Sequence, residues 1–171
     1  MLRAWLYGPL TGFGLIAAAV VCAADQAVKL WLLYGFDLAN RGIVRLTPFL
    51  DFVLTWNTGI SYGWFPQDGD FGRFVLLALK TLAVGVLWVW LARAESRLTA
   101  LSLGLIIGGA LGNAIDRLAH GAVADFVLFH ISTESINFAW YVFNLADAAI
   151  VAGVVGLLYE SFLGGNAAKA P

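Results

Sequence analysis

Residues 104–130 read GLIIGGALGNAIDRLAHGAVADFVLFH, and after a short polar interval residues 143–150 read FNLADAAI. Two apolar stretches flank a junction that gathers Asn113, Asp116, Arg117, Asp125, Asn144 and Asp147. In a chain that is 61% hydrophobic and only 12% charged, such a concentration needs a physical reason. Ionisable groups at the end of a membrane helix are costly to keep there, and by default they mark a functional site.

Outward from this junction, the 171 residues carry four runs roughly at 12–33, 73–92, 98–116 and 142–163. Each can cover the ~20 residues that cross a hydrocarbon core. Together with a mean hydropathy of +0.83, they predict a single integral membrane domain over 1–171, an all-α four-transmembrane-helix bundle. The N-terminal run has some features of a secretory or lipoprotein signal, with Cys22 near its end. Its apolar character continues through Leu33, which predicts a retained first span with Cys22 as a small buried hydrophobe. A net charge of −1 excludes a nucleic-acid footprint and a polybasic membrane patch. One cysteine excludes an internal disulfide framework and a cysteine-rich metal site.

Between the first two spans, Leu50, Phe52, Leu54 and Trp56 alternate with Asp51, Val53, Thr55 and Asn57, the period of a half-buried strand. Asn57-Thr58-Gly59 is turn-like, and Ile60, Tyr62 and Trp64 suggest a second strand, giving a β-region at roughly 43–65. Its aromatic side chains suit the membrane interface. Loop 117–141 lies on the same side, whereas both termini and loop 93–97 lie on the other. Arg93 and Arg97 in that short loop favour its side as cytoplasmic, and the sheet and the polar junction as periplasmic.

Glycines at 104, 108 and 112 form a small-residue stripe for close helix approach, and Asp116 continues it at the same four-residue interval. Asp116 is therefore expected to face a neighbouring helix. Asp25 and Lys29 share one helical face. They read equally well as a self-neutralising pair with Lys29 snorkelling outward, or as part of an inward-facing site.

Histidines 120 and 130 lie ten apart without a cysteine partner, and there is no HExxH, so no metal site is expected. Gly59-Ile60-Ser61-Tyr62-Gly63 matches G-x-S-x-G, but between apparent strands it lacks the strand–turn–helix setting of a serine nucleophile. Lys80 is read as a snorkelling side chain without a chemical role. Paired carboxylates remain. Asp147 stands at a helix start, which favours a carboxylate. Asp125 stands in Val-Ala-Asp-Phe, an apolar setting that would raise its pKa. Two carboxyl groups driven apart in this way suit acid–base hydrolysis of an amide. The same groups could equally be interhelical glue.

Five ordered blocks resemble the lipoprotein signal peptidase family, signal peptidase II. They are Asp25-Gln26-x-x-Lys29; Asn57-x-Gly59; Gly108-Gly109-x-x-Gly112-Asn113-x-x-Asp116-Arg117; Gly121-x-Val123-x-Asp125-Phe126; and Phe143-Asn144-x-Ala146-Asp147. At Ser61-Tyr62 the family more often shows alanine followed by an aromatic, which argues further against a serine nucleophile. The resemblance implies an aspartic endopeptidase of the bacterial inner membrane that cleaves signal peptides from prolipoproteins just before a diacylglyceryl-modified cysteine. By position in the motifs, Asp125 and Asp147 match the catalytic pair. Asn57, Asn113, Arg117 and Asn144 match residues that support the site, and Asp25, Lys29, Gly59 and Asp116 match its surroundings. The implied partners are a lipidated prolipoprotein and membrane lipid, with no cofactor, no nucleic acid and no obligate protein partner. The rival reading is a proton-coupled transporter, but a relay would spread ionisable groups through the bundle, and here they collect toward one face.

Overall fold

The computed structural model describes residues 6–58, 82–133, 135 and 137–167. Helix α1, Thr11–Leu30, runs on into a π-helical turn, Trp31–Gly35, and a short helix α2, Leu38–Arg41. Strands β1, Val44–Thr47, and β2, Leu50–Asn57, follow. Helix α3 is Leu82–Ala92, α4 is Arg97–His120, β3 is Val123–Ser132, β4 is Asn137–Ala139 and α5 is Leu145–Ala167.

Among the described residues, three helical stretches are long and apolar enough to cross a membrane: Thr11–Gly35, Arg97–His120 and Leu145–Phe162. They correspond to the first, third and fourth expected spans. Of the expected span 73–92, only α3 is described; the remainder, with Lys80, lies outside the described residues, as do Gly59, the G-x-S-x-G residues and the second strand expected at Ile60–Trp64.

The bundle is built around α4, which packs on α1 along one side and on α5 along the other. The glycine stripe explains how. A Cβ at Gly108 would sit 2.5 Å from the Ala18 carbonyl oxygen, and one at Gly104 would collide with the Gly14 carbonyl. On the other side, a Cβ at Gly109 would meet the backbone of Ala146. Close backbone approach of this kind is how membrane helices gain packing energy where burial from water contributes little. Ser96 caps the start of α4 by accepting from the Thr99 N–H at 3.0 Å. At its other end Gly121, at φ 76°, adopts the left-handed conformation that ends the helix and turns the chain into β3.

The strands form one antiparallel sheet in the order β1-β2-β3-β4. Strand β2 forms where the sequence reading put it, but its burial does not alternate: Asp51 is buried, Trp56 is exposed, and the pairing with β3 shifts register between Phe52 and Thr55. The region read as loop 117–141 holds more structure than expected: α4 continues to His120, and β3 and β4 follow. Residues 123–127 are buried or half-buried without a break, so β3 starts as an inner strand and lacks the clean alternation that would have revealed it. The sheet meets the bundle through a cluster of Leu32, Leu38 and Phe126, with Val28, Phe52 and Leu54 packed against it. It lies at the end of the bundle where α1 and α4 finish and α5 begins.

Candidate active site

Three helix ends and the sheet converge on one polar cluster. Strand β3 passes beneath the start of α5 because Val127 and Phe143 exchange backbone hydrogen bonds of 2.8 and 3.0 Å. That pairing brings Asn144, the residue after Phe143, beside Asp125.

Asn144 is fully buried and bonds to Asp147, Asp125 and Asn113. Its side-chain oxygen accepts the Asp147 N–H at 2.9 Å, and its own N–H donates to Asp147 Oδ2 at 3.2 Å. This reciprocal exchange is a capping box at the start of α5, with asparagine and aspartate in place of the usual serine and glutamate. With its oxygen so engaged, the amide nitrogen must face the other way. It donates to Asp125 Oδ1 at 2.6 Å and to Asn113 Oδ1 at 3.0 Å. Asn113, from α4, then donates to Asp147 Oδ1 at 2.8 Å. The second oxygen of Asp125 accepts from Asn57 at 3.1 Å, across the β2–β3 pairing.

Asp125 and Asp147 thus stand in one hydrogen-bonded circuit through Asn144 and Asn113. Asp125 is buried, and Asp147 half-buried. Burial pushes the Asp125 carboxyl up from 3.8 to about 6, against the hydrogen bond from Asn57; the charge of Asp147 pushes it up further, against Asn144 and Lys29. The sequence expectation for Asp125 therefore holds in direction and cause.

Below the circuit lies a buried ionic layer. Lys29 is 2% exposed, so it does not snorkel. Its ammonium meets Asp25 Oδ2 and Asp116 Oδ2, each at 2.8 Å, and Asn113 Oδ1 at 3.1 Å. Gln26 donates to Asp116 Oδ1 at 2.8 Å and to the Gly112 carbonyl at 3.0 Å. Arg117 donates to the Asn113 carbonyl at 3.1 Å and lies within electrostatic reach of Asp147, Asp125 and Asp116. Of the ten residues singled out in the sequence, nine meet here; Gly59 lies outside the described residues.

Sequence reasoning gave no role to Gln26 or to two backbone amides. The Ala124 N–H donates to Asp116 Oδ2 at 3.1 Å, and the Ala146 N–H donates to Asp25 Oδ1 at 3.0 Å. Each alanine directly precedes one of the paired aspartates, and backbone donors of this kind carry no side-chain signal. The histidines stay outside the cluster. His120 lies against the Trp56 ring at 5.3 Å between centroids, and His130 Nε2 lies 3.1 Å from Asp51 Oδ2 across the sheet. Among the described residues, no group of three or more His, Cys, Asp or Glu could hold a metal ion.

Chemically, the cluster offers two carboxyl groups held by neutral amides, one of them with a raised pKa, beside a charge-balanced buried layer. That is the equipment for moving protons to and from a water molecule. The model of the family described as signal peptidase (SPase) II matches residues 17–163. A lipoprotein signal peptidase of Nitrobacter hamburgensis is 61% identical over 158 residues, covering 92% of this chain and 96% of its own. One from Rhodopseudomonas palustris (strain TIE-1) is 57% identical over the same shares of the two chains. Among solved structures, a bacterial membrane enzyme at 24% identity superposes with a TM-score of 0.69, covering 89% of this chain and 93% of that one, which shows a shared fold.

Proposed function

The chain belongs to the signal peptidase II family of lipoprotein-processing membrane proteases, and from that premise we propose that Asp125 and Asp147 are its catalytic dyad. The substrate is a diacylglyceryl-modified prolipoprotein, cut just before the lipidated cysteine. The observation that carries this reading is the position of Asn144, which holds Asp125 through its amide nitrogen and Asp147 through its oxygen and its backbone N–H.

In this account a water molecule between the carboxyl groups attacks the scissile carbonyl carbon. The ionised carboxylate takes a proton from the water, while the protonated partner gives its proton to the carbonyl oxygen. The resulting diol collapses when the first carboxyl passes its proton to the amide nitrogen and one hydroxyl returns a proton to the second. The C–N bond breaks, releasing the signal peptide's new carboxyl end and the lipid-bearing cysteine's amino group. Both carboxyl groups regain their starting protonation.

Asp125, already held up near 6 by burial, is the natural carrier of the shared proton. Asn57, Asn113 and Asn144 aim the carboxyl groups, and Arg117 offsets their charge. Asp25, Lys29 and Asp116 form the supporting layer. The family is one of bacterial membrane proteins. We place this chain in the inner membrane with four spans, the run 73–92 supplying the fourth, both termini cytoplasmic, and the sheet and dyad at the periplasmic face. A lipid-bearing substrate then enters sideways from the bilayer, and no cofactor is required.

The test is cleavage of a synthetic precursor by purified protein, with and without the diacylglyceryl group. The lipidated precursor should be cut at the residue before cysteine and the unmodified one should not. Release of no signal peptide from the lipidated precursor would overturn the reading.

A further inference from the structure

A single buried nitrogen stands behind both carboxyl groups of the dyad. An ammonium has three protons to donate and no acceptor, and Lys29 Nζ has three acceptors: Asp25 Oδ2, Asp116 Oδ2 and Asn113 Oδ1. The three acceptors then diverge. Asp25 accepts the N–H of Ala146, the residue before Asp147. Asp116 accepts the N–H of Ala124, the residue before Asp125. Asn113, with its oxygen occupied by Lys29 and Asn144, turns its amide nitrogen onto Asp147 itself.

We propose that Lys29 is a positioning residue that sets the separation of Asp125 and Asp147, by gathering on one nitrogen the three side chains that hold them. The proposal rests on the dyad reading above. Asp125 comes from strand β3 and Asp147 from helix α5, and a fixed point between their anchors holds the two carboxyl groups in a constant relation to each other. Charge alone does not explain the arrangement. Neutralising Asp25 and Asp116 needs only the two ion pairs; the third bond, to the uncharged Asn113 oxygen, and the onward bonds of all three acceptors to Ala146, Ala124 and Asp147 go beyond it. Fully buried, the ion pairs contribute little net stability, and their value lies in fixing geometry.

The test uses the full-length protein in detergent or nanodiscs with a lipidated precursor. Lys29→Met keeps the length of the side chain and removes the anchor. Small displacements of reacting groups cost on the order of 100-fold in turnover, so kcat should fall by about that factor while KM stays within about threefold. Lys29 also lowers the pKa of Asp125, against the opposing charge of Asp147, with Asp116 and Arg117 the other ionised groups close by. Its removal should therefore move the Asp125 limb of the pH profile upward, a shift that general loosening of the bundle would not produce. Wild-type kcat in folded Lys29→Met, or an unmoved pH limb, overturns the proposal.

Should Lys29→Met not fold, Lys29→Arg carries the test. The charge remains, but guanidinium donors are spread over a planar fork and cannot converge on three acceptors from one point. A fall in kcat of about tenfold or more with unchanged KM is expected, and wild-type kcat overturns the proposal. Asp125→Asn and Asp147→Asn are assayed alongside. If either is active, the dyad reading fails; if both are inactive while the Lys29 variants cleave normally, only the positioning role fails.

Discussion

Asn144 and Asp147 exchange two hydrogen bonds, side-chain oxygen to backbone N–H at 2.9 Å and backbone N–H to carboxylate at 3.2 Å. The same pair therefore caps helix α5 and orients a carboxyl group proposed for catalysis. Asn144→Ala removes the cap and also strips Asp125 of its 2.6 Å donor. Loss of an N-cap costs about 1 kcal/mol, so thermal unfolding in detergent should show a modest fall. Cleavage should fall much further, because both carboxyl groups lose a support. Equal and small losses in both measurements would separate the cap from the site.

The helix contacts give a graded prediction. A Cβ at Gly112 would lie 2.6 Å from Asp25 Oδ2, whereas one at Gly108 would lie 2.9 Å from the Ala18 Cα. Gly112→Ala should push the Asp25 carboxylate off Lys29 and lower activity with a modest loss of stability. Gly108→Leu should force α1 and α4 apart and damage folding itself. Unfolding temperature and cleavage rate, measured on both variants, check the order.

Asp125 links pH to stability in a defined direction. Its carboxyl is raised from 3.8 to about 6 in the folded protein, so the native state holds this proton more tightly than the unfolded chain does. Its stabilising contribution is complete below about pH 4 and is lost as pH rises through about 6. Asp125→Asn removes that loss. The variant should be more stable than the wild type at pH 7.5 by about 2 kcal/mol, and nearly equal to it at pH 4. Unfolding curves at the two pH values provide the measurement, and a variant less stable at pH 7.5 than at pH 4, relative to wild type, would contradict the assignment.

The orientation of the chain is testable at two exposed positions at opposite ends of the bundle, Glu95 and Ser135. In a background lacking Cys22, an impermeant thiol reagent applied from the periplasm should label Ser135→Cys and spare Glu95→Cys. The reverse pattern would invert the topology.

Much of this site was legible in the sequence because polar residues in an apolar chain have few places to go. The four-residue interval 104/108/112/116 put Asp116 against a neighbouring helix, and Asp116 does meet Lys29 of α1 at 2.8 Å. The sequence left Asp25 and Lys29 open between self-neutralisation and a site. In the structure the two do pair, but inward rather than snorkelling, and Lys29 also reaches residues of α4 that only tertiary packing brings near. Strand β3 was missed for a related reason. Buried against the bundle, residues 123–127 show no alternation, and a short apolar run does not reveal its conformation by periodicity alone. The Ala124 and Ala146 amides were beyond reach, since every residue but proline carries one.

The most direct measurement is cleavage of a lipidated precursor by Asp125→Asn, Asp147→Asn and the double variant, each shown to be folded. Asparagine keeps the shape of the side chain but can neither take a proton from water nor return one. The account predicts that each single variant abolishes cleavage and that the double variant is little worse, because the two carboxyl groups act as one unit. Substantial cleavage by either single variant, or inactivation of the wild type by a serine-directed reagent, would contradict it.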